Sequence, residues 1–167
     1  EVVWIKNHGI PLKSNIKIFK DNIFLINQDN RLLCLNVDKG SLVWDVRSVS
    51  SFIKSQSFLS LAISKDEDLI ILNSSGDLVK LRTDNGRIYW TLSVLGSFFA
   101  HDTDFFRSSD IVLVDDDIIF STSTTTFSFN LINGQFNWQA EIGSINTPII
   151  DGNNIFLMTT DGYFVNL

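Results

Sequence analysis

The sequence predicts an all-β protein built from one repeated four-stranded unit, on three observations. Four tryptophans, Trp4, Trp44, Trp90 and Trp138, recur 40, 46 and 48 residues apart. A glycine stands four residues before three of them, Gly40, Gly86 and Gly134, in "VDKGSLVW", "TDNGRIYW" and "LINGQFNW". Upstream, "IFLINQDNRLLCL" (23–35), "LIILNSSGDLVKL" (69–81) and "IFLMTTDGYFVNL" (155–167) superpose without a gap, and "IIFSTSTTTFSF" (118–129) is one residue shorter. The last residue of the hairpin lies nine before the tryptophan each time: Leu35 to Trp44, Leu81 to Trp90, Phe129 to Trp138. Short strands in units of this period are the signature of a β-propeller blade.

In chain order, each unit opens on a strand closed by a turn at Asp21-Asn22, Glu67-Asp68, Asp116-Asp117 or Asn153-Asn154. The second strand, as in Leu69-Ile70-Ile71-Leu72, is a short apolar run between turn residues, as expected of a strand buried on both faces. A hairpin follows in which Gly76, Gly162 and, in the same slot, Asn30 supply a positive φ. The third strand alternates more. Cys34, Lys80, Ser128 and Asn166 share one slot, and Leu33, Val79, Phe127 and Val165 share its neighbour. Gly40, Gly86 and Gly134 make the second turn, and the tryptophan strand completes the unit. Recurring once per unit at a fixed offset from a turn glycine, the tryptophan reads as the aromatic that packs between blades rather than as a stacking platform for a quinone or base.

Residues 1–167 therefore read as one propeller segment. Its units end near Trp4, Trp44, Trp90 and Trp138, and an incomplete unit covers 144–167. Glu1–Trp4 superposes on Ser41–Trp44, a final strand, while Leu167 occupies the slot of Leu35, just before such a strand. Three whole blades and one split between the ends give about four blade equivalents. We expect half of an eight-bladed ring, completed by a second copy or belonging to a larger parent, in preference to a closed ring of four. Because the sequence opens on Glu1 rather than Met, residues are expected to precede it.

Composition narrows the function. With 44% apolar residues, no run approaches the roughly 18 needed for a membrane-spanning helix. A net charge of −6 and a pI near 4.7 argue against a nucleic-acid backbone as main partner. One cysteine, Cys34, leaves no intramolecular disulfide or multi-thiolate metal site. "RLLC" is not read as an acylation site, because Cys34 stands mid-chain in a strand slot. His8 and His101, the two histidines, sit in no nucleophile elbow or H-E-x-x-H context. Asp115, Asp116 and Asp117 occupy a turn and read as solvated. No catalytic residue, cofactor or metal site is expected.

The G-x-x-x-W strand, preceded by a "DG.L..L" type hairpin, resembles the repeat of pyrroloquinoline-quinone-type propellers. Within that superfamily "EIGSINTPIIDGNNIFLMTTDGYFVNL" is similar to a blade of the BamB family, lipoprotein subunits of the machinery that assembles β-barrel proteins in Gram-negative outer membranes. The resemblance implies an eight-bladed periplasmic propeller, a non-enzymatic scaffold whose rim loops bind a BamA-type subunit, with nascent barrel strands as further candidate partners. It also implies a lipid anchor, expected on a segment preceding this sequence. Quinoprotein dehydrogenases share the repeat, but their pattern adds a vicinal cysteine pair, which is absent here, along with a calcium site and an aspartate base. A quinoprotein-like enzyme or ligand sensor with its site in further blades is the alternative reading.

Insertions against a repeat mark its binding loops. The longest is "SVLGSFFAHDTDFFRSSD" (93–110), which sets Phe98, Phe99, Phe105 and Phe106 beside His101, Asp102, Asp104 and Arg107. Apolar anchors among a few charges suit a protein interface, although some of these phenylalanines also fit an innermost strand. In the BamB family the matching region includes an acidic D-x-D loop that contacts BamA. Asp102-Thr103-Asp104 has that spelling, several residues before the aligned position, which "FRSSD" takes. The expected partner-binding set is His101, Asp102, Asp104, Phe105, Phe106 and Arg107.

Overall fold

The two-residue turns, apolar runs and turn glycines resolve into strands as follows. The computed structural model describes residues 1–47, 59–94 and 107–167. The first blade comprises β1 (Lys17–Phe19), β2 (Asn22–Ile26), β3 (Arg31–Asn36) and β4 (Leu42–Arg47). The second comprises β5 (Ser60–Ile63), β6 (Asp68–Leu72), β7 (Asp77–Arg82) and β8 (Ile88–Ser93). The third comprises β9 (Val112–Val114), β10 (Asp117–Ser121), β11 (Thr126–Asn130) and β12 (Phe136–Ala140). In the fourth, β13 (Ile149–Asp151), β14 (Asn154–Met158) and β15 (Phe164–Asn166) form a three-stranded sheet. Every sheet is an antiparallel meander in sequence order.

The turn chemistry behaves as the sequence requires. Asn30, Gly76 and Gly162 have φ of 57°, 75° and 88° in the β2–β3 type hairpins. The two-residue turns that open three blades place Lys20, Asp115 and Gly152 at φ of 53°, 50° and 57°.

Blades stack face to face, and this explains the unbroken apolar runs. Leu69, Ile71, Val79 and Leu81 of the second blade join Phe24, Ile26, Leu32 and Cys34 of the first in one cluster. Ile70, Leu72 and Leu78, on the other face, join Phe120, Phe127 and Phe129 of the third. Successive side chains of one strand thus enter two different cores, so neither face of a middle strand is left to solvent.

The third-strand slot corrects the sequence expectation of alternation. Cys34, Lys80 and Ser128 are all buried, because their face meets the following blade. The polar members are paired locally: Lys80 Nζ lies 3.1 Å from Asp68 Oδ2, and Ser128 Oγ accepts from Asn137 Nδ2 at 3.2 Å.

The tryptophans pack between blades. Trp4 lies over Gly40 and donates from Nε1 to the carbonyl of Val37 at 2.9 Å. Trp44 covers Gly86 and bonds Thr83 O at 3.3 Å, and Trp90 covers Gly134 and bonds Ile132 O at 3.2 Å. The outermost strands of the first and second blades therefore clamp the next blade's second turn, and Trp4 makes the same contact on the first blade. Lys20–Glu67 at 2.6 Å and Lys65–Asp116 at 3.5 Å add ion pairs between successive opening turns.

One expectation fails at the N-terminus. Glu1–Trp4, aligned with the strand Ser41–Trp44, lies in no strand, and Val2, Val3 and Ile5 are exposed. A strand exists only as part of a ladder, and no neighbouring strand reaches residues 1–6 here.

Candidate partner-binding surface

Antiparallel order puts the β2–β3 type hairpins and the connections between blades on one rim, and the opening and glycine turns on the other. On the first rim the connection from the second to the third blade is fixed at both ends. Val94 is buried and donates its N–H to Gly76 O at 2.8 Å. Ser108 pairs with Thr122, and Ser109 Oγ, buried, accepts from Ser121 N at 2.9 Å. Of the expected binding set, Arg107 is described and exposed, at the foot of this connection. His101, Asp102, Asp104, Phe105 and Phe106 lie outside the described residues, as do Phe98 and Phe99.

Beside Arg107 the structure assembles a polar group that sequence reasoning missed. Asp110 accepts from Asn15 Nδ2 at 2.9 and 3.1 Å, and Thr147 Oγ1 stands 3.5 Å from its Oδ2. First, third and fourth blades meet there through their innermost segments. Nothing in the sequence announces a contact between residues 95 apart. On the same rim Asn30 and Ser74 bridge the first two hairpins, with Asn30 Nδ2 donating to Ser74 Oγ at 2.8 Å. Arg31 Nε donates to Asp45 Oδ2 at 2.6 Å. That hydrogen bond holds the Asp45 carboxyl below its usual range and raises Arg31 above its own.

The opposite rim carries two clefts. One, of about 500 Å³, lies between the first two blades and is lined by Lys20, Asp66, Glu67, Asp68, Arg82 and Asp84 among others. The other, of about 660 Å³, lies between the third and fourth blades, with Trp138 and Ile119 on one side and Ile150, Ile155 and Leu167 on the other. Asp115 and Asp116 at its lip are exposed turn residues, as the sequence indicated, and Asp117 accepts from Asn137 Nδ2 at 2.8 Å. Among the described residues no group of three or more His, Cys, Asp or Glu is placed to hold a metal ion. Cys34 is fully buried and its thiol is pushed up to about 11 by desolvation. At Trp4, Trp44 and Trp90 one indole face is taken by a turn glycine and the ring N–H by a carbonyl, so packing already engages the groups a flat ligand would use.

Meander blades, tryptophan clamps on the turns at Gly40, Gly86 and Gly134 and a G-x-x-x-W repeat define a propeller protein of the pyrroloquinoline-quinone-type class. The family profile described as "Outer membrane protein assembly factor BamB" matches residues 1–167, and the chain belongs to that family. Among solved structures it is similar to BamB from Moraxella catarrhalis, with a TM-score of 0.76 at 17% identity, covering 91% of this chain and 47% of that one. The chain thus spans about half the length of that BamB. The computationally designed Ika4 protein superposes with a TM-score of 0.71 at 13% identity, over 100% of this chain and 96% of that one. Quinohemoprotein alcohol dehydrogenase from Comamonas testosteroni gives a TM-score of 0.60 at 7% identity, over 78% of this chain and 21% of that one. At such identities the likeness is one of fold. No curated protein matched the sequence.

Proposed function

We propose that the chain is a non-enzymatic scaffold module of outer-membrane β-barrel assembly, working in the periplasm and binding a BamA-type subunit through its inter-blade loops. The observation that carries the proposal is the family match across the whole chain. The site chemistry agrees with it. The docks of Trp4, Trp44 and Trp90 and the buried Cys34 are engaged in packing. The connection 93–110 is the interface we assign, with Phe105 and Phe106 as apolar anchors and His101, Asp102, Asp104 and Arg107 as the charged surround. The anchors beneath it, Val94 at one end and Ser109 and Asp110 at the other, would hold such a loop in place without ordering cost at its base.

The test is recovery from detergent-solubilised outer membranes of a Gram-negative cell with the tagged chain. A BamA-type subunit in the eluate supports the reading, and its absence from the native chain's eluate sinks it. The quinoprotein alternative has a likeness of fold in its favour. Stoichiometric binding of pyrroloquinoline quinone in a titration would move the balance to it.

A further inference from the structure

Two of the three docked turns carry an Asn-Gly dipeptide, Asn85-Gly86 and Asn133-Gly134, and the sequence has no other. In the first blade the same slot holds Lys39-Gly40. Asn-Gly is the pair in which a backbone nitrogen most easily reaches the preceding side-chain amide, because glycine puts no Cβ in the way. Both asparagines are exposed, so water reaches them. Each nevertheless stands in an engaged turn. Gly134 N donates to Asn130 O at 2.9 Å, and Asn133 Oδ1 accepts from Gln135 N at 2.9 Å. Gly86 N donates to Arg82 O at 3.1 Å, and Asn85 Oδ1 accepts from Arg87 N at 2.9 Å. The tryptophans add to this hold. The Trp90 ring covers Gly134 and its Nε1 donates to Ile132 O at 3.2 Å, which fixes the residues on both sides of Asn133. Trp44 acts likewise on Asn85 through Gly86 and through Thr83 O at 3.3 Å.

We propose that Asn85 and Asn133 are deamidation sites guarded by Trp44 and Trp90, so that a blade contact that opens can be converted irreversibly. The step needs only water. Gly134 N gives its proton to solvent and attacks Asn133 Cγ. The new C–N bond forms as the Cγ–Nδ2 bond breaks, and the amide nitrogen takes up a proton and leaves as ammonia. Water then opens the cyclic imide at one of its two carbonyls. One opening leaves aspartate, and the other leaves isoaspartate, with the main chain routed through Cβ and Cγ. No atom changes oxidation state. In the docked turn Gly134 N–H is bonded to Asn130 O and the Asn133 amide is turned to Gln135, so the attack waits on opening of the turn. Isoaspartate lengthens the main chain by one methylene and adds a carboxylate branch. Gly134 then no longer falls under the Trp90 ring, at a contact where even an added Cβ would stand 3.0 Å from it. Docking and conversion to isoaspartate therefore exclude one another. The first blade, with Lys39 in the slot, has no amide to lose.

The test needs no membrane partner, so its failure leaves the scaffold reading standing. Peptide mapping that separates asparagine, aspartate and isoaspartate follows both sites in the purified chain at pH 8. In the native chain each site should convert at least about tenfold more slowly than in urea, since only open turns react. Trp90→Leu should speed conversion at Asn133 and leave Asn85 at its native rate, and Trp44→Leu should do the reverse. Trp90→Phe keeps a ring over Gly134 and loses only the bond to Ile132 O, so it reports on the dock even where Trp90→Leu unfolds the chain. It too should raise the Asn133 rate relative to that of Asn85. A native chain that converts as fast as the denatured one overturns the proposal, as does a ratio of the two rates that none of these variants moves.

Discussion

Gly86 meets two demands that no other residue type meets together. Its φ is 72°, and a Cβ there would stand 2.8 Å from both Trp44 Cε3 and Val46 Cγ2. Gly152 meets only the first, with φ of 57° and no atom within 4 Å of where a Cβ would stand. Gly86→Ala is therefore expected to cost about 2–4 kcal/mol, backbone strain plus overpacking, and Gly152→Ala about 1 kcal/mol from strain alone. Urea midpoints of the two variants check this, and equal losses would show that the tryptophan contact contributes nothing. Cys34 gives a second prediction at the same scale. Burial disfavours its thiolate and raises the folded value from 9.0 to about 11, so its contribution to stability is constant below pH 9.0. It falls as pH rises from there towards 11, because the unfolded chain ionises first. Native protein should resist iodoacetamide at pH 8 and react fully in denaturant, as mass spectrometry would read. The spacing of glycine and tryptophan was legible at this scale. That Trp4, Trp44 and Trp90 cover Gly40, Gly86 and Gly134 was not, because the pairing crosses from one unit to the next.

At the scale of the strand, the third-strand slot shows how a repeat can mislead. Cys34, Lys80 and Ser128 look like a solvent-facing row, yet each is buried against the next blade. The signal was the apolar companion on the other face, which propellers also bury, so period-2 alternation lost its usual meaning. Lys80 is held in this setting by Asp68 at 3.1 Å, with its ammonium 5.5 Å from the Tyr89 ring centre. Lys80→Ala would leave the Asp68 carboxylate largely buried without its cation, a loss of about 3 kcal/mol. The pair Lys80→Met with Asp68→Leu removes both charges together, so it should lose less than the single variant. Thermal and urea unfolding of the single and double variants decide it. If the single variant is as stable as the native chain, the ion pair is not what keeps a lysine in this slot. Strand order, turn positions and the short hairpin at Thr122–Thr125 followed the sequence closely, because each is set by residues within one unit. The missing strand at residues 1–6 did not, since a ladder depends on a neighbour that local sequence cannot supply.

Across the whole molecule, stability accumulates from nearest-neighbour faces, as in other repeat architectures. Ile70 and Ile71 belong to different cores although they are adjacent in sequence. Function has to come from what departs from that regularity, and the connection 93–110 is the largest departure. Its base is built into the fold through Val94, Ser109 and the Asn15–Asp110 contact, which draws on residues far apart in the chain and was invisible beforehand. Arg107 is exposed at that base, while the remaining residues of the expected set lie outside the described structure. Phe105→Ser with Phe106→Ser separates the two roles open to these side chains. If they are interface anchors, partner recovery from solubilised membranes should fall by about tenfold or more, since truncating a buried interface aromatic costs roughly 2 kcal/mol or above. The urea midpoint should stay within the small range expected of surface changes, about 0.5 kcal/mol. If they are core, the midpoint drops instead by about 3–5 kcal/mol per ring and binding is lost only through unfolding. An Arg107→Glu variant completes the comparison: an exposed rim charge should alter the association rate and its salt dependence and leave the midpoint unchanged. Native-like partner recovery by both variants would place the contact elsewhere on the ring.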